Sequence, residues 1–164
     1  MPSAVCFDAS TLINFAEAQA IVLLARHFTG RALIAEYVED NELSLTVSRG
    51  IPVVSHAGTR WLQRVDVSGA AELRRVSQIQ LALGTKQRHR GEAESIVVCE
   101  DHNAIFATDD SDAALIARAR SVRTASTIDI LRGLIAKQHL SREQALELAG
   151  RMRDAGQHVD PTLL

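Results

Sequence analysis

Apolar and polar positions along this chain alternate between two patterns. Short apolar runs of strand length occur at Ala4-Val5-Cys6-Phe7 and Ala104 to Thr108, and Arg31 to Ile34, Trp61 to Val67 and the neighbourhood of Val122 also read as strands. Between them lie stretches with helical spacing: Leu12 to about His27, Ala35 to about Val47, Ser68 to Leu83, Glu92 to His102 and Ser111 to Ala119. Two more helices, Ile128 to Gln138 and Arg142 to Ala155, close the chain. Punctuation supports these bounds. Gly30 follows the first helix, Ser141 and Gln144 form a capping box, and Gly156 stops the last helix. Gly50, Pro52 and Gly58 interrupt the middle, and Gly84 to Gly91 reads as a basic loop.

Strands alternating with helices predict an α/β fold, a parallel β-sheet flanked by helices on both faces. A length of 164 residues fits one domain over 1–164, with a core to about residue 125 and a helical pair over about 126–164. In such sheets ligands bind beyond the carboxyl ends of the strands. Asp8 follows the first run directly, and Asp109 and Asp110 follow the run that ends at Thr108. All three therefore belong at that edge.

Composition narrows the classes. No apolar run approaches the roughly 20 residues of a membrane helix. The opening MPSAVCFDAS has no basic segment before its first acid, so no secretory leader is expected. Cys6 and Cys99 sit in apolar runs and read as reduced core residues, which favours a cytoplasmic setting. The net charge of −2 does not advertise a nucleic-acid binder, but 16 of the 18 basic residues are arginine, the side chain suited to phosphate. Lys86, Arg88 and Arg90 cluster just ahead of Gly91-Glu92, where cations could position a phosphate backbone. Arg60 and Arg64 flank Trp61 and receive no role; Trp61 reads as core.

The acids carry the chemistry. On the helix opened by Gly91-Glu92-Ala93-Glu94, the 3.6 period turns Glu92 toward the protein and Glu94 toward solvent. Glu92 also lies where the helix dipole favours a carboxylate. Carboxylates from separate segments converging at one sheet edge suit a hard divalent cation, Mg²⁺ or Mn²⁺, with positions left for water and phosphate.

These pieces resemble the PIN-domain nucleases, most closely the small bacterial toxins of the VapC kind and their relatives. The matching segments are Val5-Cys6-Phe7-Asp8-Ala9-Ser10-Thr11-Leu12-Ile13, Gly91-Glu92-Ala93-Glu94-Ser95-Ile96 and Ala107-Thr108-Asp109-Asp110, with Thr124 to Leu164 similar to the helical tail of one branch. The resemblance implies a metal-dependent endoribonuclease. Asp8, Glu92 and Asp110 would be metal ligands, and Ser10 and Thr108 supporting residues. The 18-residue interval from Glu92 favours Asp110 over its neighbour Asp109. The second acid is Glu42, with Glu39 as the alternative; the two are three apart and share a helical face. The resemblance also implies an RNA substrate, a cognate antitoxin protein and a homodimer. The alternative is a non-catalytic PIN-like module that binds protein or RNA. A phosphatase or phospho-receiver fits less well, because Ser10 stands where an aspartyl phosphatase wants a second Asp and Arg123-Thr124 where a receiver wants Lys.

Overall fold

A computed structural model describes residues 3–43, 53–84 and 89–164. Along the chain, β1 (Val5–Phe7) leads to α1 (Ala9–Glu17), α2 (Ile21–Phe28) and β2 (Ala32–Ala35). A π-helical turn, Val38–Glu42, follows. A hairpin of β3 (Ser55–His56) and β4 (Thr59–Arg60) precedes β5 (Leu62–Val65), α3 (Ala70–Leu83) and α4 (Arg90–His102). The chain then runs through β6 (Ile105–Ala107), α5 (Ser111–Ala119), β7 (Thr124–Ala125), α6 (Thr127–Ala136) and α7 (Arg142–Asp154) to a 3₁₀ turn, Pro161–Leu163.

Five strands form one parallel sheet in the order β5-β2-β1-β6-β7. Val5 lies opposite Ala32 on one side and Ile105 on the other, and Phe7 opposite Ala107. Helix α4 packs across β1, β2 and β6 with α3 and α5 beside it, while α1, α2, α6 and α7 form the other layer. This is the expected single-domain α/β fold, a parallel sheet flanked by helices on both faces. Double coverage explains why the inner strands β1, β2 and β6 read as unbroken apolar runs, whereas the edge strand β5 carries exposed Gln63 and Arg64. Phe7 anchors the second layer, meeting Phe28 and Trp61 edge-on at ring separations of 5.2 and 5.7 Å. Trp61 is core, as expected, and its indole N–H donates to the Val53 carbonyl at 2.7 Å. Cys6 and Cys99 are free and buried. Among the described residues no helix is long and apolar enough to cross a membrane.

Three expectations change. The helix predicted from Leu12 to His27 is two helices, broken at Ala18-Gln19-Ala20, where Gln19 adopts φ 56°. No glycine or proline marks the break; the small, buried Ala18 and Ala20 allow the tight turn. The middle holds a hairpin with Ala57 (φ 50°) and Gly58 (φ 77°) at its tip, the left-handed pair a two-residue hairpin needs. The segment after β2 is not a regular helix over Ala35–Val47. Its backbone widens into a π turn closed by Leu43 N–H to the Val38 carbonyl at 3.1 Å, and residues 44–47 lie outside the described residues.

Adjacent strands β1 and β6 send their chains to opposite faces, β1 into α1 and β6 into α5. That places a crevice beyond their carboxyl ends. Asp109 ties this edge to the C-terminal helices. Its Oδ1 accepts from Thr127 N–H (2.8 Å), and its Oδ2 accepts from Asn14 Nδ2 (2.8 Å), Thr11 Oγ1 (3.5 Å) and Thr127 Oγ1. Asn14 Nδ2 also reaches Thr127 Oγ1 at 3.1 Å. Asp109→Ala would strand those buried donors. It should lower stability by about 3 kcal/mol, read as the midpoint of urea unfolding; an unchanged midpoint would contradict the clamp.

Candidate functional site

Asp8 occupies the N-cap position of α1, yet its side chain makes no capping hydrogen bond. The carboxylate turns instead into the crevice and is only 4% exposed. Its Oδ2 accepts from Ser10 Oγ (2.9 Å) and Thr108 Oγ1 (3.0 Å), while Oδ1 is buried with no partner among the described residues. Burial, and then the nearby charge of Glu92, push its pKa up to about 6.

Asp110 uses its own N-cap position in the ordinary way. Its Oδ1 accepts from Ala113 N–H at 2.7 Å, and its own N–H donates to Thr108 Oγ1 at 3.1 Å. The Thr108 hydroxyl thus links Asp8 to the start of α5. Ser10 plays a matching part, donating to Asp8 and accepting from Asp109 N–H at 3.3 Å. Asp109 itself is fully engaged in the clamp described above.

The first turn of α4 delivers Glu92. One oxygen lies 3.5 Å from His89 Nδ1, and the other, Oε2, is buried without a partner among the described residues. Glu94, expected in solvent, is buried at 2% exposure. The helical period was read correctly, but α4 is covered nearly all round: the π turn packs on the face that a surface helix would show to water. Inside, Glu94 accepts from Arg90 Nε (2.8 Å) and from Tyr37 N–H (3.4 Å).

The π turn separates the two candidates for the second acid. Residues three apart no longer stack when the turn spans i to i+5, so Glu39 and Glu42 do not share a face. Glu39 is held by Arg60 through both guanidinium amines, and Arg64 engages Glu36 and Asp40. Those two arginines, given no role from sequence, thereby neutralise three acids. Glu42 turns inward against Gly91, so closely that a Cβ at position 91 would stand 2.1 Å from its Oε1. Burial first, then the charges of Asp8, Glu92 and Glu94, raise its pKa to about 8, opposed by the Gly91 N–H.

Asp8, Glu92 and Glu42 thus influence one another electrostatically, and two of their oxygens are buried and orphaned. A cation would satisfy both conditions. Among the described residues no three such side chains stand as a ready-made ligand cluster. Asp8 Oδ1 and Glu92 Oε2, buried and unpartnered among the described residues, would suit a hard ion held by two carboxylates, with water and substrate oxygens filling its other positions. Of the basic residues expected to meet phosphate, Arg90 is at the start of α4, whereas Lys86 and Arg88 lie outside the described residues.

A family model described as PIN domain matches residues 4–164. The chain belongs to the PIN-domain family. In a comparison with curated proteins, none matched. For this PIN domain, sequence reasoning missed Asn14, Tyr37, His89 and the inward course of Glu94. Only one of these had a readable signal: Arg90 and Glu94 are four apart on one helix, the spacing of an ion pair.

Asp8 and Glu42 bind protons more tightly in the folded chain than in the unfolded one. The folded state therefore carries more bound protons across their titration, and stability falls as pH rises from about 4 toward 8. Removing the charge should reverse this loss. In EDTA, Glu42→Gln should melt a few degrees above the parent at alkaline pH and coincide with it at about pH 4, by thermal unfolding. A parent that gains stability across that window in EDTA, with no gain from Glu42→Gln, would contradict the assignment.

Proposed function

We propose that this PIN domain is a metal-dependent endoribonuclease that hydrolyses RNA phosphodiester bonds with Mg²⁺ or Mn²⁺. The observation that carries this reading is the pair of buried, unpartnered carboxylate oxygens, Asp8 Oδ1 and Glu92 Oε2, at the crevice beyond β1 and β6.

Asp8 and Glu92 would hold the cation; Asp110, at the start of α5, is the third ligand by motif resemblance alone, since no three such side chains cluster among the described residues. Bound there, the ion would supply Lewis-acid polarisation of the scissile phosphate and of the attacking water. Ser10 and Thr108 fix the Asp8 carboxylate in one orientation through their hydroxyls. Glu42, whose pKa burial and the surrounding carboxylates raise to about 8, would lose its proton more readily beside a cation. Gly91 lets Glu42 approach, since any larger residue would fill its place. Arg90, with Lys86 and Arg88 from the preceding basic segment, would meet the phosphate chain.

The toxin half of a toxin–antitoxin pair, with a cognate antitoxin and a homodimeric state, is the finer form of this proposal and rests on the motif resemblance. A cytoplasmic setting is supported by the two free, buried thiols. The lack of a three-carboxylate cluster among the described residues favours, as a second reading, a PIN module that binds RNA without cutting it.

Incubation with labelled RNA separates the two readings. Cleavage should require Mg²⁺ or Mn²⁺, stop in EDTA, and fall at least 100-fold in Asp8→Asn. Gly91→Ala should fold yet lose most activity, because it displaces Glu42. Cleavage that persists in EDTA and in Asp8→Asn would overturn the metal chemistry; RNA binding without any cleavage would establish the second reading.

A further inference from the structure

Beside the carboxylates stands an arginine held more firmly than a surface side chain needs to be. Arg90 opens α4, two residues before Glu92. Its Nε donates to Glu94 Oε1 at 2.8 Å, and its guanidinium lies over the Tyr37 ring, 5.0 Å from the centroid. Glu94 is itself fixed: it is buried, and its second oxygen accepts from the Tyr37 N–H at 3.4 Å. The Arg90 side chain remains 46% exposed. Among the described residues its hydrogen bond uses Nε alone, and none of them engages the edge carrying the two terminal amino groups.

An isolated surface ion pair has little energetic reason to bury one partner almost completely. Burial of Glu94 instead makes it a rigid acceptor. With Nε tied and one face on an aromatic ring, the guanidinium plane is set and its terminal amines are presented as a fork. A fork of two parallel N–H donors matches two oxygens of a phosphate. Arg90 directly precedes Gly91, against which Glu42 packs, and stands two residues before Glu92, so the fork lies at the rim of the same crevice.

We propose that Tyr37, Arg90 and Glu94 form a preorganised subsite for an RNA backbone phosphate adjacent to the scissile one, with Glu94 as a positioning residue acting through Arg90. This rests on the ribonuclease reading. Glu94 touches neither substrate nor cation. It removes the rotamer freedom that Arg90 would otherwise lose on binding.

A double-mutant cycle tests the coupling. Binding of fluorescein-labelled oligouridylate to the full chain carrying Asp8→Asn is followed by anisotropy against KCl, with circular dichroism confirming the fold of each variant. Arg90→Gln should weaken binding about tenfold and reduce the salt slope by roughly 0.7, the value for one phosphate contact on a single strand. In the Glu94→Gln background the same change should cost about twofold or less, because an unfixed arginine contributes little. Tyr37→Leu should reproduce the weakening by Glu94→Gln, while Glu94→Asp retains part of the coupling. Equal losses from Arg90→Gln in both backgrounds, or no loss in either, would overturn the subsite and leave the ribonuclease reading intact. Failure of the Asp8→Asn parent to bind the RNA would overturn both.

Discussion

Everything at the functional edge follows from one electrostatic constraint: like charges are gathered where water is scarce. Asp8 is buried at the end of the central strand, Glu92 is aimed at it from the first turn of α4, and Glu42 presses in from the π turn. Desolvation and repulsion both act against ionisation of such groups, and the raised pKa values of Asp8 and Glu42 record that cost. A protein selected for stability alone would replace these groups with apolar side chains of similar size. The rest of the fold carries the cost, through a sheet packed on both faces and an aromatic cluster around Phe7.

Most of the neighbouring acids are compensated by partners of their own. Arg60 and Arg64 draw Glu36, Glu39 and Asp40 outward, and Arg90 compensates Glu94. Asp109 is surrounded by donors from α1 and α6. Among the described residues, Asp8, Glu92 and Glu42 have no guanidinium partner at the crevice. The hydroxyls of Ser10 and Thr108 steady the first of these without neutralising it. An acid with a hydroxyl partner keeps its charge for a cation, whereas an acid with a guanidinium partner has already found one.

Legibility differed sharply between the fold and the site. The parallel sheet and most helices followed from apolar runs and caps, because burial on two faces leaves a local, periodic trace. Helix α5 lies at Ser111–Ala119 as its pattern predicts, and the Ser141–Gln144 box opens α7. The break at Gln19 left no such trace, since neither glycine nor proline marks it. Asp8 and Asp110 were placed correctly at the sheet edge because each directly follows an apolar run. Glu94 was placed wrongly because a helical wheel knows one covered face, and α4 has more than one.

The sequence by itself determined the alternation of the five sheet strands with helices, the family, and the positions at which acids leave the sheet, because each depends on residues close together along the chain. Tertiary structure alone decided how those acids are used. Whether Asp109 clamps helices, Glu39 pairs with arginine or Glu42 enters the crevice depends on partners many residues away, such as Thr127, Arg60 and Gly91. Local periodicity can say that a carboxylate is present. Only the packing of distant segments sets whether it meets a cationic side chain, a hydroxyl or another carboxylate, and that meeting fixes its charge and its chemistry.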